Sequence, residues 1–233
     1  MKLDNATVLV TGANRGLGQE FARQALARGA RKVYAAARNP ASVTLEGVVP
    51  VALDVTDAAQ AEALARELGD VDLVINNAGI AEMTGVLNPD SPEALRRMLE
   101  TNVFGILNVS RAFAPVLGRH GGGAFLNVLS VASWISSPAL AAYGVTKAAA
   151  WSLTNALRNE LAAQGTQVMG LHVGFIDTDL TQGIDAPKLT VDVVVDRGFA
   201  ALEAGAPEVA IDELTQAVKR GLSAEPGLYT QAR

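Results

Sequence analysis

Tyr143 and Lys147 stand four residues apart, and Ser130 precedes the tyrosine by thirteen. On a helix, side chains four apart project from one face, so an ammonium would sit beside a phenol. A free phenol has a pKa of ~10, too high for easy proton exchange in neutral water. Lowering it by ~3 units takes ~4 kcal/mol of preferential stabilisation of the phenolate. Burial acts the other way, so the positive charge of Lys147 is expected to outweigh it. The bland alternative is an ordinary pair on a helix surface.

Upstream, Thr11-Gly12-Ala13-Asn14-Arg15-Gly16-Leu17-Gly18 follows the apolar run Ala6–Val10. It precedes a stretch in which Phe21, Ala22, Ala25 and Leu26 recur at helical spacing. A strand, a glycine-rich turn and a helix start make an anion site, because unbonded backbone N–H groups and the helix dipole both favour phosphate. Glycines serve where the chain turns sharply or approaches pyrophosphate. The spacing here is GxxxGxG, which differs from the usual GxGxxG fingerprint.

Together these motifs resemble the short-chain dehydrogenase/reductase family, over residues 5–180 and more loosely to the end. The family's TGxxxGxG is matched by Thr11 to Gly18, and its NNAG by Asn76-Asn77-Ala78-Gly79. Its active-site asparagine, serine, tyrosine and lysine correspond to Asn102, Ser130, Tyr143 and Lys147. The resemblance implies hydride transfer between a nicotinamide and a carbonyl or alcohol carbon, of the carbonyl reductase kind. Tyr143 would exchange the proton, Ser130 would hold the substrate oxygen, and Lys147 would also bind the nicotinamide ribose. Asn102 would hold a water leading from Lys147 to solvent; otherwise it is a helix-interior amide satisfied by backbone. Dinucleotide contacts are expected from Gly12, Asn14, Arg15, Gly16, Leu17, Gly18, Asp54, Val55, Asn76, Ala78, Gly79, Tyr143, Lys147, Gly174, Ile176 and Thr178. Val173 departs from the pattern, which usually has proline before the glycine.

The choice of coenzyme can be argued from charge. NAD sites place an acid at the end of the second strand, about 20 residues past the glycine turn, on the ribose 2′-hydroxyl. Here that place reads Ala35-Ala36-Ala37-Arg38, without an acid. Arg38 and Arg15 suit a 2′-phosphate through forked, charge-assisted bonds, so NADP(H) is expected. The alternative is that both are solvated surface cations. For Asp54, the alternative to an adenine contact is a cap on the following helix.

With 233 residues, 49% of them hydrophobic, one α/β Rossmann-type domain spanning 1–233 is expected. Near-continuous apolar strands alternating with helices imply a doubly wound, mostly parallel sheet covered on both faces. Strands are expected at Thr7–Val10, Lys32–Ala37, Val48–Asp54, Leu73–Asn76, Ala124–Leu129, Gln167–Val173 and Glu208–Asp212. Helices are expected at about 17–29, 57–68, 91–117, 142–164, 191–204 and 213–222, with a lid at about 180–189. Zero cysteines exclude disulfides and thiolate metal sites, and two histidines argue against a transition-metal centre. A formal charge of −5 argues against nucleic acid. Neither a signal segment nor a membrane-length apolar run is visible, so a cytoplasmic location is expected. By resemblance, helices 91–117 and 142–164 would form a homodimer or homotetramer interface. A non-catalytic NADP(H)-sensing protein on the same fold is the alternative to an enzyme. The complete serine–tyrosine–lysine set argues against it.

Overall fold

A computed structural model describes residues 1–183 and 185–230, apart from the side chain of Leu180. The apolar runs form β1 (Thr7–Thr11), β2 (Lys32–Ala37), β3 (Val49–Ala52), β4 (Leu73–Asn76), β5 (Gly123–Val128), β6 (Thr166–His172) and β7 (Glu208–Ala210). Every pairing is parallel, in the order β3-β2-β1-β4-β5-β6-β7. Between and after them lie α1 (Gly16–Ala27), α2 (Ala58–Glu67), α3 (Ser91–Leu99), α4 (Gly105–Arg119), α5 (Ala141–Glu160), α6 (Val191–Glu203) and α7 (Glu213–Gly221).

Alternation along each strand divides the core in two. Val8, Val10, Leu126 and Leu171 pack with Phe21 of α1 and with Phe199 and Leu202 of α6. Leu9, Val74 and Phe125 face the other way, onto Leu64, Val109, Phe113 and Leu157 of α2, α4 and α5. Each such side chain contributes roughly 1.5–3 kcal/mol by leaving water. Covering both faces explains why the strands read as unbroken apolar runs. The strand order reverses between β1 and β4, which opens a crevice at the carboxyl ends of the strands.

Three expectations need correcting. The stretch 91–117 is not one regular helix: Glu100–Phe104 forms a π-helical turn between α3 and α4. The helix expected over 142–164 ends at Glu160, followed by a 3-10 turn and Gly165 at φ 76°. β3 stops at Ala52 and not at Asp54. Asp54 instead accepts bonds from the Thr56 amide and hydroxyl, and Asp57 is the residue that caps α2.

The expected lid includes Ile184, which lies outside the described residues. The two sides of the loop are joined: Leu189 N–H donates to the Phe175 carbonyl at 3.0 Å, and Asp177 N–H to the Leu189 carbonyl at 2.8 Å. Among the described residues, no helix is long and apolar enough to cross a membrane.

Candidate active site

The β1–α1 turn is closed by hydrogen bonds from β4's end. The Thr11 hydroxyl accepts from the Asn77 and Ala78 amides, each at 3.0 Å, while Asn77 Nδ2 donates to the Thr11 and Gly12 carbonyls. Gly12 and Gly16 adopt positive φ. At Gly18 the constraint is space: a Cβ there would lie 2.2 Å from the Gly12 carbonyl oxygen. α1 begins without a side-chain cap, so its first N–H groups remain available to an anion. Asn14, Arg15, Gly16, Leu17 and Gly18 all line a cleft of about 930 Å³ at the carboxyl edge of the sheet.

The same cleft is walled by Ser130, Tyr143 and Lys147. β5 ends just before Ser130, and α5 carries the other two on one face, as their spacing requires. Lys147 Nζ lies 5.7 Å from the Tyr143 ring centre and donates to the Val128 carbonyl at 2.9 Å. Burial pushes the phenol up to about 12 despite the neighbouring Ser130 hydroxyl, which pulls it down. Burial alone pushes the Lys147 amine down to about 8. The expectation that Lys147 draws the phenol toward neutrality is therefore not met: desolvation dominates both groups. At neutral pH Tyr143 is a protonated phenol beside an amine that is still mostly charged.

Asn102 sits in the π-helical turn, almost fully buried. Its Oδ1 accepts from the Ile80 amide, and its Nδ2 donates to the Ile80 carbonyl and the Thr146 hydroxyl. The side chain thus ties the loop after β4 to α5, one residue from Lys147: both Nδ2 hydrogens are used, while Oδ1 keeps one lone pair. Asn76 needs a correction. It is buried behind the cleft, donating to Asn127 Oδ1 at 2.8 Å, and Asn77, Ala78 and Gly79 form the wall instead.

At the far end the lining comprises Arg38, Asn39, Ser42, Asp54 and Val55. The Thr56 amide and hydroxyl hold the Asp54 carboxyl below its usual range, with a smaller pull from the Arg38 guanidinium. Arg15 bonds Asp179 at 2.6 Å, both side chains largely in solvent. Gly174, Ile176 and Thr178 line the opposite side. Of four apolar residues that the sequence offers for a substrate pocket, Leu140 and Phe175 line the cleft, whereas Trp134, which is buried, and Ile135 lie outside its lining. Among the described residues no group of acids and histidines could hold a metal ion.

Two supports were not expected from the sequence. Asp212, which caps α7, also accepts the Gly174 amide at 2.7 Å and so fixes the loop after β6. His172, at the end of β6, has Nδ1 3.1 Å from the Ser130 carbonyl, stacks on Trp134 at 3.9 Å and turns Nε2 to Glu208, 3.3 Å away. Glu208 also accepts from Trp151 Nε1 at 3.0 Å and pairs with Lys219. The aspartate and histidine types were visible in the sequence; their partners, distant in the chain, were not.

Comparison with known proteins agrees with this geometry. The profile of the short chain dehydrogenase family matches residues 6–189, and the chain belongs to that family. A short chain dehydrogenase from Burkholderia cenocepacia J2315, solved in complex with NADP, superposes with a TM-score of 0.93 at 40% identity, covering 97% of this chain and 96% of that one. The probable oxidoreductase EphD of Mycobacterium tuberculosis is 35% identical over 91% of this chain, which spans only 39% of EphD's length. A galactitol 2-dehydrogenase (L-tagatose-forming) of Cereibacter sphaeroides is 36% identical over 77% of this chain and 75% of its own.

The Glu208 cluster yields a pH test. Burial raises the Glu208 carboxyl, but His172 and Lys219 outweigh it and hold it at about 2. A depressed carboxyl stabilises the fold fully above its unfolded value, and that contribution is lost as pH falls through the folded value. The stability gap between wild type and Glu208→Gln, from urea unfolding, should therefore narrow as pH falls from about 5 to about 3, by about 1 kcal/mol once solvent screening of this half-buried carboxyl is allowed for. A constant or widening gap contradicts the assignment.

Proposed function

We propose that this chain reduces the carbonyl group of a ketone or aldehyde with NADPH, and that Tyr143 is the proton donor. The observation that carries this reading is the convergence of Ser130, Tyr143 and Lys147 on the cleft wall that also holds the uncapped start of α1. When bound, NADPH supplies a hydride from its nicotinamide ring. The glycine turn fits such a group, since its backbone is kept bare by contacts that a Cβ at Gly18 would break.

In this proposal the α1 N–H groups take the pyrophosphate, and Arg38 and Arg15 take the 2′-phosphate. Asp54 and Val55 lie along the adenine, while Gly174, Ile176 and Thr178 face the nicotinamide side. The Ser130 hydroxyl donates to the substrate oxygen as negative charge builds on it. The Tyr143 phenol then gives its proton to that oxygen. Lys147, charged at neutral pH, stabilises the phenolate left behind and binds the nicotinamide ribose. Asn102 keeps α5 and the loop after β4 in register around Lys147. In this proposal the free lone pair of Asn102 Oδ1 holds the water that leads from Lys147 to solvent.

The protonation states suit the acid step of reduction: a phenol at about 12 and an amine at about 8 are both protonated near neutrality. We also propose a homodimer or homotetramer built on α4 and α5. Phe104 and Val145, at the ends of those helices nearest the cleft, remain 45% and 44% exposed.

Two substitutions test the reading. Tyr143→Phe removes the acid and no phosphate contact, so turnover should fall by ~10²-fold or more while NADPH binding stays within a few-fold. Retention of more than about a tenth of the activity contradicts the role of Tyr143. Arg38→Asp replaces a cation with a carboxylate beside a group carrying about −1.5 to −2 charges. The ratio of kcat/KM for NADPH over NADH should drop by about 10-fold or more at fixed ionic strength. A change below about threefold means that Arg38 does not read the phosphate.

A further inference from the structure

We infer that the substrate is an apolar ketone or aldehyde whose carbonyl oxygen is the one polar group it buries. This deepens the carbonyl-reduction reading and rests on it. The cleft is chemically divided. One end holds Arg15, Arg38, Asn39, Ser42 and Asp54. Beyond Ser130 and Tyr143 the walls are Ala81 and Met83 after β4, Ala132 after β5, Leu140 before α5, and Phe175 after β6.

Among the described residues, Thr101 and Asp179 of the lining and Glu82 and Thr84 beside it are engaged elsewhere: the Thr101 hydroxyl donates to the Arg97 carbonyl and Asp179 accepts from Arg15. Glu82 holds Arg97 in a two-pronged bond at 3.0 and 2.7 Å. The Thr84 hydroxyl accepts from Asn88 Nδ2 at 3.1 Å. The Thr181 hydroxyl is directed to the carbonyls of Ile176 and Thr178. Among the described residues, Ser130 and Tyr143 are therefore the side chains placed to answer a substrate oxygen, and Ala81, Met83, Ala132, Leu140 and Phe175 offer apolar contact. Met83 reaches the rim 60% exposed and would be covered by an apolar substrate.

A second hydroxyl pressed onto this wall would lose its water partners without replacement, which costs roughly 10- to 100-fold in kcat/KM. A carboxylate would cost more. Polyols, ketoses and sugar acids, which carry a hydroxyl on most carbons, are thus poor fits. The galactitol 2-dehydrogenase relative is named for a polyol, but a shared fold does not carry its pocket chemistry across.

Matched aryl ketones separate the outcomes: acetophenone, meta-hydroxyacetophenone and meta-carboxyacetophenone. Their kcat/KM values would be measured with NADPH, and their binding to NADPH-loaded Tyr143→Phe followed by saturation-transfer NMR. Acetophenone should lead the hydroxyl analogue by about 10-fold and the carboxylate by about 100-fold. Leu140→Asn, which adds a donor and an acceptor to the apolar wall, should close most of the hydroxyl gap. Equal or better use of the hydroxyl or carboxylate analogue overturns the inference, as does failure of all three to bind. If the binding order is as stated but none is reduced with either coenzyme, the apolar pocket stands and the carbonyl-reduction reading fails.

Discussion

The structure hangs on keeping a charge on Lys147 where water is largely excluded. Burial brings its amine down to about 8, so neutral pH leaves the charge in place with little to spare. Its hydrogen-bond partner is the Val128 carbonyl, not a carboxylate, so the charge is not cancelled by an ion pair. The Tyr143 ring centre lies 5.7 Å from Nζ. Each neighbouring element is bound by this arrangement. α5 must start where the two side chains face the cleft, and β5 must end so that Val128 and Ser130 flank them. The π-helical turn must present Asn102 to Thr146, the residue before Lys147. A Cβ at Gly79 would press on Asn102 Oδ1 at 3.3 Å and reach ordinary contact with Lys147 Nζ at 4.0 Å.

Much of the sheet could be read from the chain because its strands are apolar on both faces and short. β2 and β4 fall where the pattern put them, and the glycine turn sits between β1 and α1. What escaped detection depends on partners far away in sequence. Nothing in the apolar spacing of 91–117 marks a π-helical turn; it exists around Asn102, whose amide bonds span to Ile80 and Thr146. Asp212 reads as the end of the last strand; it caps α7 instead, and its bond to Gly174 reaches 38 residues back. Asn76 and Asn77 are adjacent and identical in type, so only the pleat of β4 decides which is buried and which lines the cleft. His172 reads as a buried strand residue, and its link to Ser130 depends on β6 lying beside β5.

Charge at the adenosine end is more balanced than the residue types suggested. Arg38 has the Asp54 carboxylate nearby, and Arg15 is engaged by Asp179 across the cleft mouth. A 2′-phosphate would have to compete with both acids, whereas a ribose hydroxyl would not. The Arg15–Asp179 pair is largely solvated, and such pairs contribute about 0–1 kcal/mol. A doubly charged phosphate can displace that contact at modest cost, which keeps the case for NADP(H) intact while placing most of its weight on Arg38.

The central claim is that the Lys147 charge stabilises the phenolate left when Tyr143 gives up its proton. The most direct measurement is the pH dependence of kcat/KM for ketone reduction at saturating NADPH, in wild type and in Lys147→Arg. Wild-type activity should decline as pH rises through about 8, where the amine loses its proton. The guanidinium keeps its charge to a pKa above ~12, so the decline should vanish or move well upward in the variant, whatever its absolute rate. A declining limb at the same pH in both proteins, or a wild-type profile that stays level well above that pH, would contradict the account.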